Sequence, residues 1–502
     1  MTMNLYSLFE ARFPPDRTAC CIETHDGLYY SWNDLDRATA KLANLLAGLN
    51  LPAGARIAAQ VDKSPEALML YLATIRAGFV YLPLNTAYRA AEMSYFIQDA
   101  APSVVVCSLQ NFGWVSQIAF AGGTKHVFTL GDDRSGSLLV RATHQSNSFD
   151  TVDKDPDELA AILYTSGTTG RSKGAMLTHR NLASNAEVLH DYWRWRPGDV
   201  LLHALPLFHV HGLFVASHGA LLNGSKMIFL PKFDSAEVIR HLPRATVFMG
   251  VPTYYVRLLA DPAFGRDVCS NMRLFVSGSA PLLADTFTEF AQRTGHTILE
   301  RYGMSETTML TSNPYDGERT GGTVGLPLPG VSVRVVKSGG TPCAPEEIGD
   351  IQVKGPNVFK GYWRMPEKTA EEFTQDGYFQ TGDVGKFDAR GYLSIVGRSK
   401  DLIITGGYNV YPKEVEAVID DIDSVVESAV IGVPHQDFGE AVTAVVVVKP
   451  DSTVSEVDVL AYLKERLANF KVPKRVHFVP DLPRNAMGKV QKNVLRERFA
   501  GS

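Results

Sequence analysis

Two hydrophobic rhythms alternate along most of this chain. Residues 56–61, 80–84 and 103–107 are short apolar runs, the texture of strands covered on both faces. Between them, residues 64–78 and 90–99 repeat apolar positions at helical spacing, the first opening on Ser64 as its N-cap. A further helical pattern starts at Ser31 or Asn33 and stops at Leu51-Pro52-Ala53-Gly54. Residues 20–23 and 28–32 flank Asp26-Gly27 and predict a hairpin. The alternation predicts a doubly wound α/β sheet over the first 150 residues.

The same rhythm returns from residue 160 to about 310, with strands at 159–164, 227–230, 247–249 and 274–277 and a helix from about Asn181. From Thr323 to about Ile395 short strands are separated by Gly-Asp, Asp-Gly and Arg-Gly turns, which predicts a small antiparallel β subdomain. After a boundary at 397–401 the pattern becomes compact α+β. Helices are expected from Pro412 to about Asp421 and over 455–469, and strands at 425–433, 441–449 and 476–479. The predicted architecture is α/β. A large domain, residues 1–398, holds two doubly wound subdomains and a small β subdomain, and a small α+β domain follows at 399–502.

Composition narrows the function classes. The 502 residues carry 49 basic and 54 acidic side chains, so the basic excess of a nucleic-acid binder is missing. Five cysteines, an odd number without C-x-x-C spacing, suit neither a disulfide framework nor zinc and predict reduced thiols in the cytoplasm. Glu10 and Arg12 interrupt the N-terminal apolar stretch, which argues against a secretory signal, and no run approaches the 18 apolar residues of a membrane span.

One segment carries most of the chemical information. Tyr164-Thr165-Ser166-Gly167-Thr168-Thr169-Gly170-Arg171-Ser172-Lys173-Gly174 runs from a buried strand into glycines, hydroxyls and one lysine. Backbone N–H groups approach phosphate oxygens closely where glycines remove side chains, and the hydroxyls and ammonium add donors. A Walker A pattern cannot be threaded through this string.

This string resembles the phosphate loop of the adenylate-forming superfamily of acyl-CoA synthetases, luciferases and peptide-synthetase adenylation domains. Further motifs follow in that family's order: Glu300-Arg301-Tyr302-Gly303-Met304-Ser305-Glu306, Thr381-Gly382-Asp383, Gly397-Arg398 through Gly406-Gly407, and Pro483 to Lys489. The resemblance implies a mobile C-terminal domain turning about Lys400, with Gly406 and Gly407 lining the path of the CoA thiol. It implies nucleotide contacts from Thr165, Ser166, Gly167, Thr168, Thr169, Gly170 and Lys173, and from Ser279, Ala280, Glu300, Arg301, Tyr302, Gly303, Met304, Ser305, Asp383 and Arg398. The residue chemistry agrees with those roles. Tyr302 offers a face for adenine, Glu306 a carboxylate for Mg²⁺ shared with phosphates, and Asp383 an acceptor for ribose hydroxyls. Lys489 is implied as the cation that enters during adenylation, where a positive charge stabilises developing negative charge. A lysine exposed in one conformation is also a target for a lysine acyltransferase and deacylase.

The acyl substrate is expected to be a short diacid. Arg257 and Arg301, with Ser279, are placed to receive a second carboxylate, because a buried guanidinium facing a fatty tail would be left unpaired. His209 matches the family's gate between acyl and CoA channels, and Met304 is expected to border the diacid's α-carbon. The strings around His209, Arg257, Ser279 and Met304 are similar to those of the malonyl-CoA synthetase branch, which also takes methylmalonate. The implied catalytic set is Lys489, Thr165, Glu306 and His209, acting on malonate, ATP and CoA. Two enzyme alternatives remain: a synthetase for another short acid, and a stand-alone adenylation domain loading a carrier protein. A non-catalytic nucleotide sensor is a third, disfavoured by the intact set Thr165, Glu306, Asp383 and Lys489.

Overall fold

The computed structural model describes residues 4–165, 172–405, 408–435, 439–467, 469–485 and 488–500. Its contacts divide the chain into two compact units, Met1–Ser332 with Lys354–Gly377, and Val333–Val353 with Tyr378–Ser502.

In the first unit, as described, two mixed sheets carry the helices. A seven-stranded sheet runs in the order Gly361–Tyr362, Lys173–Thr178, Leu159–Thr165, Val80–Pro83, Arg56–Gln60, Val104–Cys107 and His126–Thr129. Its last five strands pair parallel. Four of them are buried almost throughout, which is why they read as apolar runs, while the edge strand His126–Thr129 is mostly half-buried. The helix Pro65–Arg76 is buried at every position, with Ser64 accepting the Ala67 N–H and Pro65 in the first turn. By contrast Trp32–Ala47 is amphipathic and opens on a capping box between Ser31 and Asp34.

The second sheet has nine strands among the described residues. Val200–His203, Val247–Gly250, Leu274–Ser277 and Leu299–Met304 form its parallel centre. Two segments depart from the expected layout. The hairpin Cys20–Thr24/Tyr29–Ser31 joins this sheet by pairing Ile22 with Met227, so the first 150 residues are not one self-contained layer. Gly361–Tyr362, expected in the small β subdomain, instead pairs with Ala175 and Met176 on the edge of the seven-stranded sheet. In both cases an edge strand's backbone groups are satisfied by a partner far away in sequence, which local periodicity cannot report.

The second unit contains the antiparallel sheet Ser332–Val336, Gly349–Lys354, Phe379–Phe387 and Leu393–Arg398. It also contains an α+β layer. The long hairpin Val425–His435/Gly439–Val448 packs the helices Pro412–Asp420 and Glu456–Lys464 over a valine-rich core. The second of these helices is shorter than the expected 455–469, closing after Lys464.

Candidate active site

In open α/β sheets, ligands bind beyond the carboxyl ends of the strands. The first unit gathers its candidate residues there. Thr165 ends the strand Leu159–Thr165, and Lys173 opens its antiparallel neighbour, so the two flank the phosphate-type loop in register. Ser166, Gly167, Thr168, Thr169 and Gly170 lie outside the described residues.

Lys173 is placed by two partners that sequence reasoning missed. Its ammonium lies 3.4 Å from Glu372 and 4.1 Å from the centroid of the Tyr362 ring. The Tyr362 hydroxyl donates to Glu306 Oε1 at 3.0 Å. The ring thus links the lysine of one motif to the carboxylate of another, 133 residues apart in sequence. Its only sequence signal is an aromatic in Gly361-Tyr362-Trp363. Glu306 is 5% exposed, and no cluster of three or more metal-ligating side chains occurs among the described residues. A single buried carboxylate is nonetheless a donor set that fits Mg²⁺, which takes one or two carboxylates and fills its shell with phosphate oxygens and water.

Around the strand ends Ser277 and Glu300-Arg301 the character changes from open to enclosed. Arg301 is 3% exposed, and its Nε and Nη2 have no hydrogen-bond partner. Ser277 Oγ and His211 Nε2 are also buried without a partner. His211 Nδ1 lies 3.4 Å from Ser279 Oγ, and Ser279 holds a left-handed backbone at φ 74°. Gly278 is a glycine because the guanidinium lies against it: a Cβ there would meet Arg301 Cζ at 2.4 Å. Burial works against the arginine's charge and pushes its pKa down to about 9, opposed by Tyr255 and Glu300. Burial and the nearby Arg301 push His211 well below the usual histidine range, so it is neutral at pH 7. Several desolvated donors beside one guanidinium form a site for an anion.

Other candidates take distinct places. Glu300 is buried and accepts the Leu282 N–H at 3.0 Å, which ties the loop after Leu274–Ser277 to the strand Leu299–Met304. Tyr302, Gly303, Met304, Ser305 and Ala280 are half-buried at the same strand ends. His209 is half-buried, and its Nδ1 accepts the His211 N–H at 3.4 Å. It precedes the helix His211–Ser217, wound with the wide π spacing that often marks functional segments. Arg257 is exposed on the helix Pro252–Leu259. His203 and His218 are core histidines, held by Lys63 and Gly212 and by Tyr71 respectively.

The second unit holds the remaining motifs. Asp383 and Arg398 face each other on adjacent strands, Nε to Oδ1 2.6 Å, with Asp383 4% exposed. Lys400 is exposed on the short turn Ser399–Asp401. Gly406 and Gly407 lie outside the described residues. Lys489 is exposed on a tight hairpin, its N–H donating to Asn485 Oδ1 at 3.0 Å.

With this geometry in hand, comparison with known proteins is direct. The profile described as AMP-binding enzyme matches residues 9–363, and that of the AMP-binding enzyme C-terminal domain matches 414–489. The crystal structure of ATP-bound MatB from Rhodopseudomonas palustris is 57% identical, with a TM-score of 0.97 over 100% of this chain and 99% of that one. A malonate–CoA ligase of Arabidopsis thaliana is 34% identical over 98% of this chain and 89% of its own length. A long-chain fatty acid–CoA ligase of Bacillus subtilis is 33% identical over 97% and 92%. At that level of identity, ligases named for very different acids stand equally close, so the acyl pocket has to discriminate.

Proposed function

The chain belongs to the AMP-binding enzyme family, and from that premise we propose that it is an ATP-dependent ligase joining malonate to CoA through malonyl-AMP. The observation that carries the diacid is Arg301: a guanidinium 3% exposed, with two nitrogens unpartnered, beside Ser277 and His211. A fatty acyl tail there would leave the charge unpaired at a cost of several kcal/mol, whereas a distal carboxylate pairs with it and accepts from its neighbours. Methylmalonate satisfies the same donors, and Met304 borders its extra methyl.

In the first step a carboxylate oxygen of malonate attacks the α-phosphorus of ATP and pyrophosphate leaves. Thr165 and Lys173 hold phosphate oxygens, and Tyr302 stacks on the adenine. Asp383 accepts from the ribose hydroxyls, with Arg398 at the nucleotide beside it. Lys489 brings its charge to the reacting oxygens. Glu306 would hold Mg²⁺, which when bound neutralises phosphate charge. In the second step the CoA sulfur, having lost its proton, attacks the acyl carbonyl and AMP leaves. His209 gates the thiol's approach, and Gly406 and Gly407 line it. Residues 1–398 and 399–502 act as the two bodies of this cycle, hinged at Lys400. The five cysteines are free thiols, which suits a cytoplasmic setting, and no helix among the described residues is long and apolar enough to cross a membrane. The exposed Lys489 amine is a site for reversible acylation, readable by mass spectrometry before and after deacylase treatment.

The test is CoA-dependent AMP formation with malonate, methylmalonate, succinate, acetate and octanoate, for the wild type and Arg301→Ala. Malonate leads, and the variant loses it by about a hundredfold or more, the worth of roughly 3 kcal/mol for a desolvated charged contact. A lead for acetate or octanoate keeps the ligase and removes the diacid.

A further inference from the structure

We propose that Arg484 is a positioning residue for Lys489, bolting the hairpin that carries it to the strand Val425–His435 through Glu427. This inference rests on the role proposed above for Lys489 in adenylation.

The hairpin is short and held by its own backbone. Arg484 and Val490 form an antiparallel bridge, Gln491 N–H donates to Pro483 O at 2.8 Å, and Asn485 N–H donates to Lys489 O at 2.9 Å. Gly488 N–H donates to Asn485 O at 2.9 Å, with Gly488 at φ 75°, a conformation that other residues adopt only under strain. These bonds all lie within the hairpin. Val490 packs on the apolar cluster that includes Ala429, Ile431 and Val433 of the strand Val425–His435, and two side chains add directional polar ties. Arg484 Nη1 donates to Gly488 O at 2.7 Å, directly before Lys489, and its Nη2 donates to the Glu427 carboxylate. One planar guanidinium thus joins Gly488 O to the sheet, a two-point link that a flexible ammonium does not reproduce. Beyond the other limb, Lys492 pairs with Glu416, which is 6% exposed and also accepts the Val430 N–H from the same strand. The hairpin is therefore tied to Val425–His435 from both limbs, once at Glu427 itself and once through Glu416.

Between the two ties, Lys489 is exposed and has four rotatable bonds to order. Fixing a lysine side chain costs rotamer freedom, so aiming its backbone in advance lowers what remains to be fixed in the reaction. Arg484 touches neither nucleotide nor acid in this scheme. Its effect belongs in kcat of the first step.

The experiment measures both half-reactions of the full-length protein separately, with thermal unfolding alongside. Pyrophosphate release from malonate and ATP reads the first, and conversion of preformed malonyl-AMP with CoA reads the second. Arg484→Met is expected to lower kcat of pyrophosphate release about tenfold or more, with KM for ATP and malonate and the second half-reaction within about twofold of wild type. Arg484→Lys recovers only part of the loss. Glu427→Gln, a milder change that keeps the fold if Arg484→Met does not, shows a smaller loss of the same kind. The double variant is no worse than Arg484→Met alone, since Glu427 acts through the guanidinium. Equal losses in both half-reactions, additive losses in the double variant, or unchanged pyrophosphate release each overturn the proposal. Lys489→Ala is the control that separates it from the reading beneath it. If that variant keeps full pyrophosphate release, the role of Lys489 is wrong. If it loses the first step while Arg484→Met does not, only the positioning inference fails.

Discussion

Arg301 and Lys489 are both cations assigned to anionic oxygen, yet the fold keeps them in opposite ways. Arg301 is shut into the strand ends of the first unit, with burial working against its charge and two nitrogens left without partners. Lys489 sits exposed on a braced hairpin of the second unit. On the proposed reading the buried cation selects, because an anion relieves its unpaired charge, and it needs no motion to act. The exposed cation costs little while idle and selects nothing by itself. On the role proposed for it, its value lies in when and where it is delivered. That reading separates selectivity and timing between two cations in two units.

The largest effect that tests this separation is on Lys489. Lys489→Ala should cut malonate-dependent pyrophosphate release by about a thousandfold, yet leave the ranking of acids unchanged and malonyl-AMP conversion intact. A changed ranking would show that the exposed cation also selects. Next is Arg301→Met, which keeps the volume and removes the charge. Malonate kcat/KM should fall about a hundredfold while acetate and propionate hold or rise, measured as AMP formation. Equal losses for all acids would make Arg301 structural.

A smaller effect is expected at Gly278. A methyl there meets the guanidinium at 2.4 Å, so Gly278→Ala should displace Arg301 and lower malonate kcat/KM roughly tenfold, with little change for acetate. Asp420 tests the second unit without touching either cation. Burial, helped by Glu416 and Glu427 and opposed by Ser428 and Lys413, raises its carboxyl to about 6 from 3.8. The folded state therefore binds more protons between about pH 4 and pH 6, and stability falls as pH rises through that window. Asp420→Asn removes this penalty. It should stabilise the protein by about 1–2 kcal/mol at pH 8 and by nothing near pH 3, read from denaturant midpoints. A gain at both pH values would place the effect in packing rather than ionisation.

Much of this was legible before the structure. Buried parallel strands announced themselves as apolar runs at residues 56–61, 80–84 and 274–277, because a strand covered on both faces has no polar side to show. Helix starts at Ser31 and Ser64 were legible because capping is local. Tyr362, Glu372 and His211 were not. Tyr362 reaches Glu306 and Lys173 only because its two-residue strand docks on Lys173–Thr178, a pairing with no local signature. His211 was set aside with three other histidines as an unpromising metal cluster. Location separates the three buried ones: His203 is held by Lys63 and Gly212 and His218 by Tyr71, whereas His211 lies with Nδ1 3.4 Å from Ser279 Oγ and keeps Nε2 unpartnered.

By itself the sequence determined the α/β class, the order of the motifs and hence the family, since propensity, capping and a loop's glycine content are properties of neighbouring residues. It also named two arginines as equal candidates for the second carboxylate. Tertiary structure alone made them unequal. Arg257 lies on the exposed face of the helix Pro252–Leu259, while Arg301 ends in the interior against Gly278, a residue on the neighbouring strand's exit. A side chain's dielectric surroundings depend on which strand ends and helix faces meet around it. That is a property of the packed sheet, and no window of sequence contains it.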